Sequence, residues 1–130
     1  MNNPRLIAYG VIGLKTHTKT ALVVRQEQGG IRCYGHIGTG NYNSKTARLY
    51  EDFGLLTCDP DITEDLTGLL IYMTGRSRQR DYKKLLVAPV AMKKRFVELI
   101  EREKVTNFSG VPTMSREMLM HPDWAMRDTS

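Results

Sequence analysis

The chain has 130 residues, of which 41% are hydrophobic and 25% are charged, so it can build one small globular domain around an apolar core. No apolar run approaches about 18 residues, which excludes a membrane-spanning helix, and the N-terminus lacks the pattern of a secretory signal. We therefore expect a cytoplasmic protein whose two cysteines are free thiols. The net charge of +5 favours polyanionic partners such as nucleotides, polymeric phosphate or nucleic acid.

The first 58 residues are typical of β-structure. Four segments have the β-branched and apolar composition of strands: 5–13, 14–26, 31–38 and 53–58. The polar turn 27–30 predicts that the second and third segments form a hairpin. Two elements are predicted before the fourth segment. They are a Gly/Asn loop over 38–43 and a short helix over 44–52 with Ser44 as its N-cap.

The second half of the chain predicts helices. Asp59 and Pro60 are typical of an N-cap and a first helical position, and Gly75 of a helix stop. The apolar stripe of this helix is Ile62, Leu66, Leu69, Leu70 and Met73. The chain then predicts a basic loop (76–84), a short buried strand (85–88) and a helix opened by Pro89. The apolar face of that helix is Met92, Phe96, Leu99 and Ile100.

Strands that alternate with helices indicate an α/β domain with a mixed sheet flanked by helices. We expect this domain to occupy residues 1–104. The remaining residues, 105–130, have no sustained apolar period and predict a divergent tail that is poorly packed or depends on a partner.

The stretch KTHTKT, at residues 15–20, is the first candidate for chemistry. In a strand, Lys15, His17 and Lys19 share one face, where two ammonium groups flank an imidazole. The two cations favour a neutral, nucleophilic ring and neutralise an incoming phosphoryl group. The alternative is a solvent-facing edge strand whose lysines prevent aggregation. This stretch alone leaves both interpretations open.

The loop that follows the hairpin adds a second set of candidates. The residues GTGN, at 38–41, let the backbone approach a ligand and direct N–H groups at an anion. Further on, Arg48 has the geometry to clamp a phosphate, and Asp52 to fix a histidine tautomer through a hydrogen bond. Each candidate also has a simpler interpretation. The GTGN loop can be only a turn, Arg48 only a surface residue, and Asp52 only a charge at the end of a helix.

An H-x-K motif followed by GTGN resembles half of the phospholipase D superfamily site, although the acid of that motif is replaced by Val24. A closer resemblance is to the first C-terminal catalytic domain of the long-chain polyphosphate kinase family. It is carried by the segments GLKTHTKTALVVR, YGHIGTGNYNSKTARLYEDFGLLTCD and LLVAP, and it runs from about Tyr9 to Glu103.

This resemblance implies a phospholipase D-like half-domain and the reversible transfer of the ATP terminal phosphate to polyphosphate. It assigns the phosphorylated histidine to His17 and a partner carboxylate to Asp52. The resemblance and the KTHTKT stretch together give the candidate phosphate and ATP contacts. They are Lys15, Lys19, His36, Thr39, Asn41, Lys45 and Arg48. Mg²⁺ would accompany ATP, and no residue of this chain is expected to be a metal ligand.

The family completes its site with a second related domain, to which nothing in this chain corresponds. We therefore expect ATP, ADP and polyphosphate as partners, with a homo-oligomer as one way to supply a second half-site, and no specific nucleic acid. Two alternatives remain: a non-catalytic domain that binds polyphosphate or another polyanion, and a phosphodiesterase of the phospholipase D type.

Overall fold

The computed structural model describes residues 10–78, 81–89 and 92–127. They divide into two compact units. The first unit, residues 10–78 and 83–85, contains a β-sheet and one long helix; the second contains the remaining helices. None of the helices in these ranges has the length and apolar composition needed to cross a membrane.

The sheet has three strands in the order β1-β2-β3: β1 (Thr20–Glu27), β2 (Gly30–Gly38) and β3 (Gly54–Thr57). Both strand pairs in the described part of the chain are antiparallel. The β1–β2 hairpin confirms the prediction and closes at Gly30, whose φ of +118° suits a residue without a side chain. Strand β3 then pairs with the last four residues of β2.

The strand predicted over 14–26 begins only at Thr20, so its first part was predicted wrongly. Residues 15–19 are irregular. A hydrogen bond from the Gly38 N–H to the Lys19 carbonyl, at 2.8 Å, joins the end of this stretch to the end of β2. The alternating basic residues therefore lie outside the sheet and do not share a strand face.

The part of the predicted strand 5–13 that lies within the described residues is a turn, and the remainder lies outside them. The Leu14 N–H donates to the Val11 carbonyl at 3.1 Å. Gly10 and Gly13 adopt φ values of +99° and +81°, which interrupt an extended backbone and which residues with a side chain rarely adopt.

The helix predicted over 44–52 is reduced to a single 3₁₀ turn, Thr46–Arg48. The side-chain oxygen of Asn43 accepts hydrogen bonds from the N–H groups of Lys45 (2.9 Å) and Thr46 (3.3 Å). Asn43 therefore starts this turn, and the predicted cap, Ser44, does not. A local side-chain bond of this kind competes with helix formation.

Helix α1 (Pro60–Met73) forms as predicted. The Asp59 carboxylate accepts a hydrogen bond from the Ile62 N–H at 3.0 Å, and Pro60 takes the first helical position. After the helix, Gly75 has a φ of +74°, which confirms the predicted stop.

The contact between α1 and β2 is the core of the first unit. Of the predicted apolar stripe, Leu66 (0% exposed) and Leu69 are buried. A methyl group on Gly35 of β2 would lie only 2.5 Å from Cδ1 of Leu66, so glycine at this position lets the helix approach the sheet closely. Packing of this kind supplies most of the stability of a small domain.

The strand predicted over 85–88 is absent, because residues 85–87 are irregular and Ala88 lies in a turn. The Asp65 carboxylate of α1 accepts hydrogen bonds from the N–H groups of Lys83 (2.9 Å), Lys84 (2.6 Å) and Leu85 (2.9 Å). Asp65 is 2% exposed. The hydrogen-bond partner of the backbone N–H groups at residues 83–85 is thus a carboxylate and not a neighbouring strand.

The second unit contains α2 (Met92–Arg102), α3 (Pro112–Leu119) and a 3₁₀ turn, Trp124–Met126. Within α2, Val97 and Ile100 are buried, and the Phe96 ring meets the Phe108 ring edge-on, with centroids 5.2 Å apart. This supports the predicted apolar face. Residues 90 and 91 lie outside the described ranges, so the predicted opening of the helix at Pro89 stays a prediction.

The segment predicted to be a poorly packed or partner-dependent tail contains α3 and the 3₁₀ turn, both after residue 104. Ion pairs join this segment to α2: Lys93 with Glu117, and Arg127 with Glu101. These ion pairs connect side chains that are far apart in the sequence. The spacing of apolar residues therefore gives no sign of them. The boundary at residue 104 between a domain and a tail stays a prediction.

Candidate functional site

The side chains of His17 and Lys19 contact each other directly. The Lys19 ammonium lies 2.9 Å from Nε2 of the His17 ring and donates a second hydrogen bond to the His17 carbonyl, also at 2.9 Å. In a strand, residues two apart are separated by about 7 Å. The irregular backbone therefore makes this contact possible. His17 is exposed, whereas Lys19 is only 9% exposed.

This contact bears on which nitrogen of the His17 ring carries the proton. An ammonium group has hydrogens to donate and no lone pair, so Nε2 of His17 acts as the acceptor. This contact is compatible with the tautomer that has its proton on Nδ1 and a lone pair on Nε2. The contact therefore places a positive charge beside a ring nitrogen that has a lone pair in this tautomer.

A second group of side chains closes the loop between β2 and β3. The Thr39 hydroxyl donates to Oδ1 of Asp52 at 3.0 Å and accepts from the Phe53 N–H at 3.0 Å. The Thr39 N–H also donates to the Phe53 carbonyl at 3.0 Å. Gly40 lies beneath the carboxylate, since a methyl group there would be 2.1 Å from Oδ2 of Asp52.

Asp52 was expected to hydrogen-bond a histidine, and the structure pairs it with Thr39. Among the described residues, no hydrogen bond or ion pair joins the Asp52 carboxylate to His17 or His36. The physical reason is loop closure. Thr39 hydrogen-bonds the backbone of Phe53, and Asp52 is the residue before Phe53, so the side chains of Thr39 and Asp52 lie together.

His36 lies near the end of β2 and forms a third contact. Its Nδ1 is 2.5 Å from the hydroxyl of Tyr42, and the two rings are tilted by 46°. The ring also lies over Gly54, where a methyl group would be 2.6 Å from Nε2. The sequence did not predict Tyr42 or Gly54 as site residues. The pairing of β2 with β3 identifies Gly54, because it places Gly54 opposite Gly38, two residues after His36. Tyr42 has no such signal in the sequence.

The other predicted phosphate contacts have exposed side chains. Within the described ranges, no hydrogen bond or ion pair engages the side chains of Lys15, Asn41, Lys45 and Arg48. Lys15 belongs to the irregular stretch before β1, and the other three lie in the loop that leaves β2. The charges of Lys15, Lys45 and Arg48 are therefore available to an anion, although no contact within the described ranges orients these side chains.

The hairpin register brings the candidate residues to one end of the sheet. Lys19 pairs through its carbonyl with Gly38, and the following pairs are Thr20 with Ile37 and Ala21 with His36. The loop closed by Thr39 leaves from the same end. Among the described residues, no group of three or more His, Cys, Asp or Glu side chains lies close enough to hold a metal ion.

Comparisons with known proteins identify the family of the chain. The family model for polyphosphate kinase C-terminal domain 1 matches residues 4–79. The chain is similar to the polyphosphate kinases of Synechocystis sp. (65% identical over 97 residues) and Thermosynechococcus vestitus (64% over 106 residues). These matches cover 75% and 82% of this chain but only 13% and 14% of the relatives.

A solved structure gives the same result. The crystal structure of polyphosphate kinase from Porphyromonas gingivalis matches 73% of this chain and 16% of its own, with a TM-score of 0.63 and 36% identity. This likeness confirms the predicted α/β class and the phospholipase D-like half-domain. The chain thus spans about a seventh of the relatives that it matches, and it belongs to the polyphosphate kinase family.

Proposed function

We propose that this chain is a polyphosphate kinase catalytic-domain segment in which His17 carries the phosphoryl group between ATP and polyphosphate. The observation that carries this proposal is the contact between the Lys19 ammonium and Nε2 of His17. It presents a neutral imidazole beside a positive charge, and the family match covers this stretch. The use of ATP is consistent with a cytoplasmic location.

In the first step, Nε2 of His17 attacks the terminal phosphorus of ATP. The N–P bond forms, the bond from that phosphorus to the bridging oxygen breaks, and ADP leaves. The Lys19 ammonium moves from the ring lone pair to the phosphoryl oxygens, so its positive charge stays at the reacting centre. In the second step, a terminal oxygen of polyphosphate attacks the phosphohistidine and regenerates the ring. Each step runs in both directions.

The remaining cations neutralise the substrate charge. Lys15, Lys45 and Arg48 are exposed, and none has an ion-pair partner within the described ranges. Arg48 is suited to a bidentate phosphate contact, and the lysines to point-charge contacts. The role of Asp52 in this proposal is to hold Thr39, and through it the loop, beside the substrate.

Mg²⁺ would enter bound to the phosphates of ATP. Such an ion keeps several waters and needs only one or two protein carboxylates, so a preformed cluster of acids is not required. Its contribution is to neutralise phosphate charge, and we assign no residue of this chain to it.

A second candidate is a polyanion-binding domain without turnover. The observation that favours it is the coverage of only 13% and 14% of the matched relatives, because residues outside this segment can be needed for catalysis. A homo-oligomer would supply a second copy of the site, and light scattering at working concentration tests that arrangement. Steeply salt-dependent binding of polyphosphate without phosphohistidine would favour this second candidate.

The deciding experiment is autophosphorylation. The purified chain and a His17→Ala variant are mixed with Mg²⁺ and terminally labelled ATP, and the bound label is tested for acid lability and alkali stability. Acid-labile, alkali-stable label on the wild type alone supports His17 as the phosphoryl carrier. Equal label on both proteins, or none on either, refutes that role for this chain.

A further inference from the structure

We propose that Tyr42 is a positioning residue for His36, and that Gly54 provides the space that lets the ring take that position. In this arrangement the Tyr42 hydroxyl donates a hydrogen bond to Nδ1 of His36 and keeps its proton. The proton of the neutral ring then resides on Nε2, which becomes a hydrogen-bond donor for a phosphate oxygen. The phosphate part of this inference rests on the proposed function; the positioning part does not.

The contact geometry supports a specific role for Tyr42. The hydroxyl lies 2.5 Å from Nδ1 of His36, which is a short hydrogen bond. The backbone of Tyr42 is held in place indirectly, because the base of its loop is closed by the bonds between Thr39 and Phe53. A side chain on such a closed loop can select one orientation of a partly exposed ring.

The glycines beneath the ring provide an independent constraint. A methyl group on Gly54 would lie 2.6 Å from Nε2 of His36, and one on Gly38 would lie 3.0 Å from Cε1. Both distances are shorter than ordinary van der Waals contacts, so a side chain at Gly54 forces the ring away from the sheet. Ring and hydroxyl would then separate.

Fixing the ring before the ligand arrives matters for binding. A free histidine side chain on a sheet surface loses rotamer freedom when it contacts an anion, and that loss reduces affinity. With Tyr42 on one side and Gly54 beneath, part of the ordering is already present in the folded protein. The tautomer is also selected in advance, because only the Nε2–H form donates to phosphate from that nitrogen.

The first test reads the ring directly. Imidazole ¹⁵N and ¹H resonances are recorded for the wild type, Tyr42→Phe and Gly54→Ala, with His36→Ala used to assign the signal among the three histidines. Matched controls are Tyr72→Phe, in α1, and Gly29→Ala, where a methyl group meets no atom within 4 Å. We expect both test variants to shift the His36 ring nitrogens and both controls to leave them unchanged.

In the wild type, we expect a pyridine-like Nδ1 and a protonated Nε2 for His36. A protonated Nδ1, or ring nitrogens that do not respond to Tyr42→Phe, would overturn the positioning role. Circular dichroism melts of every variant separate a local change from a loss of fold.

The second test measures the dissociation constant of inorganic tripolyphosphate. Loss of one positioning hydrogen bond predicts about three- to tenfold weaker binding for Tyr42→Phe. In the His36→Ala background, the same substitution should have no further effect, since Tyr42 acts only through the ring. An equal loss in both backgrounds, or no loss in either, would overturn the inference. If the wild type does not bind tripolyphosphate, the proposed function and the phosphate part fail, while the spectra still decide the positioning role.

Discussion

Replacing Asp65 with alanine removes the acceptor of three backbone hydrogen bonds at once. The carboxylate is 2% exposed and receives the N–H groups of Lys83, Lys84 and Leu85 at 2.6 to 2.9 Å. A hydrogen bond to a charged group contributes about 1.5–3 kcal/mol to stability. Water can reach part of the freed backbone, because Lys83 and Lys84 are exposed. We therefore expect a loss of about 3 kcal/mol and not the full sum of three bonds.

The assay is urea unfolding followed by circular dichroism. With a slope of about 1–3 kcal/mol per molar urea, a loss of about 3 kcal/mol lowers the midpoint by roughly 1–3 M. The matched control is Glu64→Ala, the neighbouring exposed acid, which pairs with the Lys83 ammonium at 2.7 Å. An exposed ion pair contributes at most about 1 kcal/mol. Equal midpoints for the two variants would refute the reasoning that the buried carboxylate holds this segment.

Three further predictions concern packing, capping and charge. Gly35→Ala should destabilise the first unit by about 1–3 kcal/mol in urea unfolding, because the new methyl overlaps Leu66; an unchanged midpoint would contradict the close contact. Asp59→Ala should cost about 1 kcal/mol through the lost N-cap, and Asp59→Asn should restore most of it. The Lys93 ammonium lowers the pKa of the Glu117 carboxyl, so its stabilisation is full above the unfolded-state pKa and lost as pH falls through the folded one. A carboxyl ¹³C titration of Glu117 should move to higher pH in Lys93→Ala, and an unmoved curve would exclude this cause.

Local signals explain what the sequence predicted well. The β1–β2 hairpin follows from the polar turn between two β-branched runs, and α1 from the Asp59 cap, the apolar stripe and the Gly75 stop. Each of these signals lies within a few residues of the element that it controls. The resemblance to the polyphosphate kinase family extended the prediction from these single elements to the phospholipase D-like half-domain.

Non-local contacts explain what the sequence could not predict. Alternation in KTHTKT imitates a strand, but a strand needs a partner. Within the described part of the chain, only Lys19, through Gly38, and Thr20, opposite Ile37, have one. The pairing of Asp52 with Thr39 depends on how the loop closes, so spacing along the chain did not reveal it. The H-x-K pattern predicted His17 as a site residue and the family resemblance predicted His36, whereas Tyr42 required the three-dimensional position of its hydroxyl.

The loop between Thr39 and Phe53 has a further consequence. Its two ends are joined by four hydrogen bonds among Thr39, Asp52 and Phe53, so the loop is closed at its base in the manner of an Ω-loop. The entropy of closing such a loop changes little when a few residues are added or removed at its tip. The Lys45–Arg48 portion can therefore vary in length and charge while the sheet and His36 keep their places.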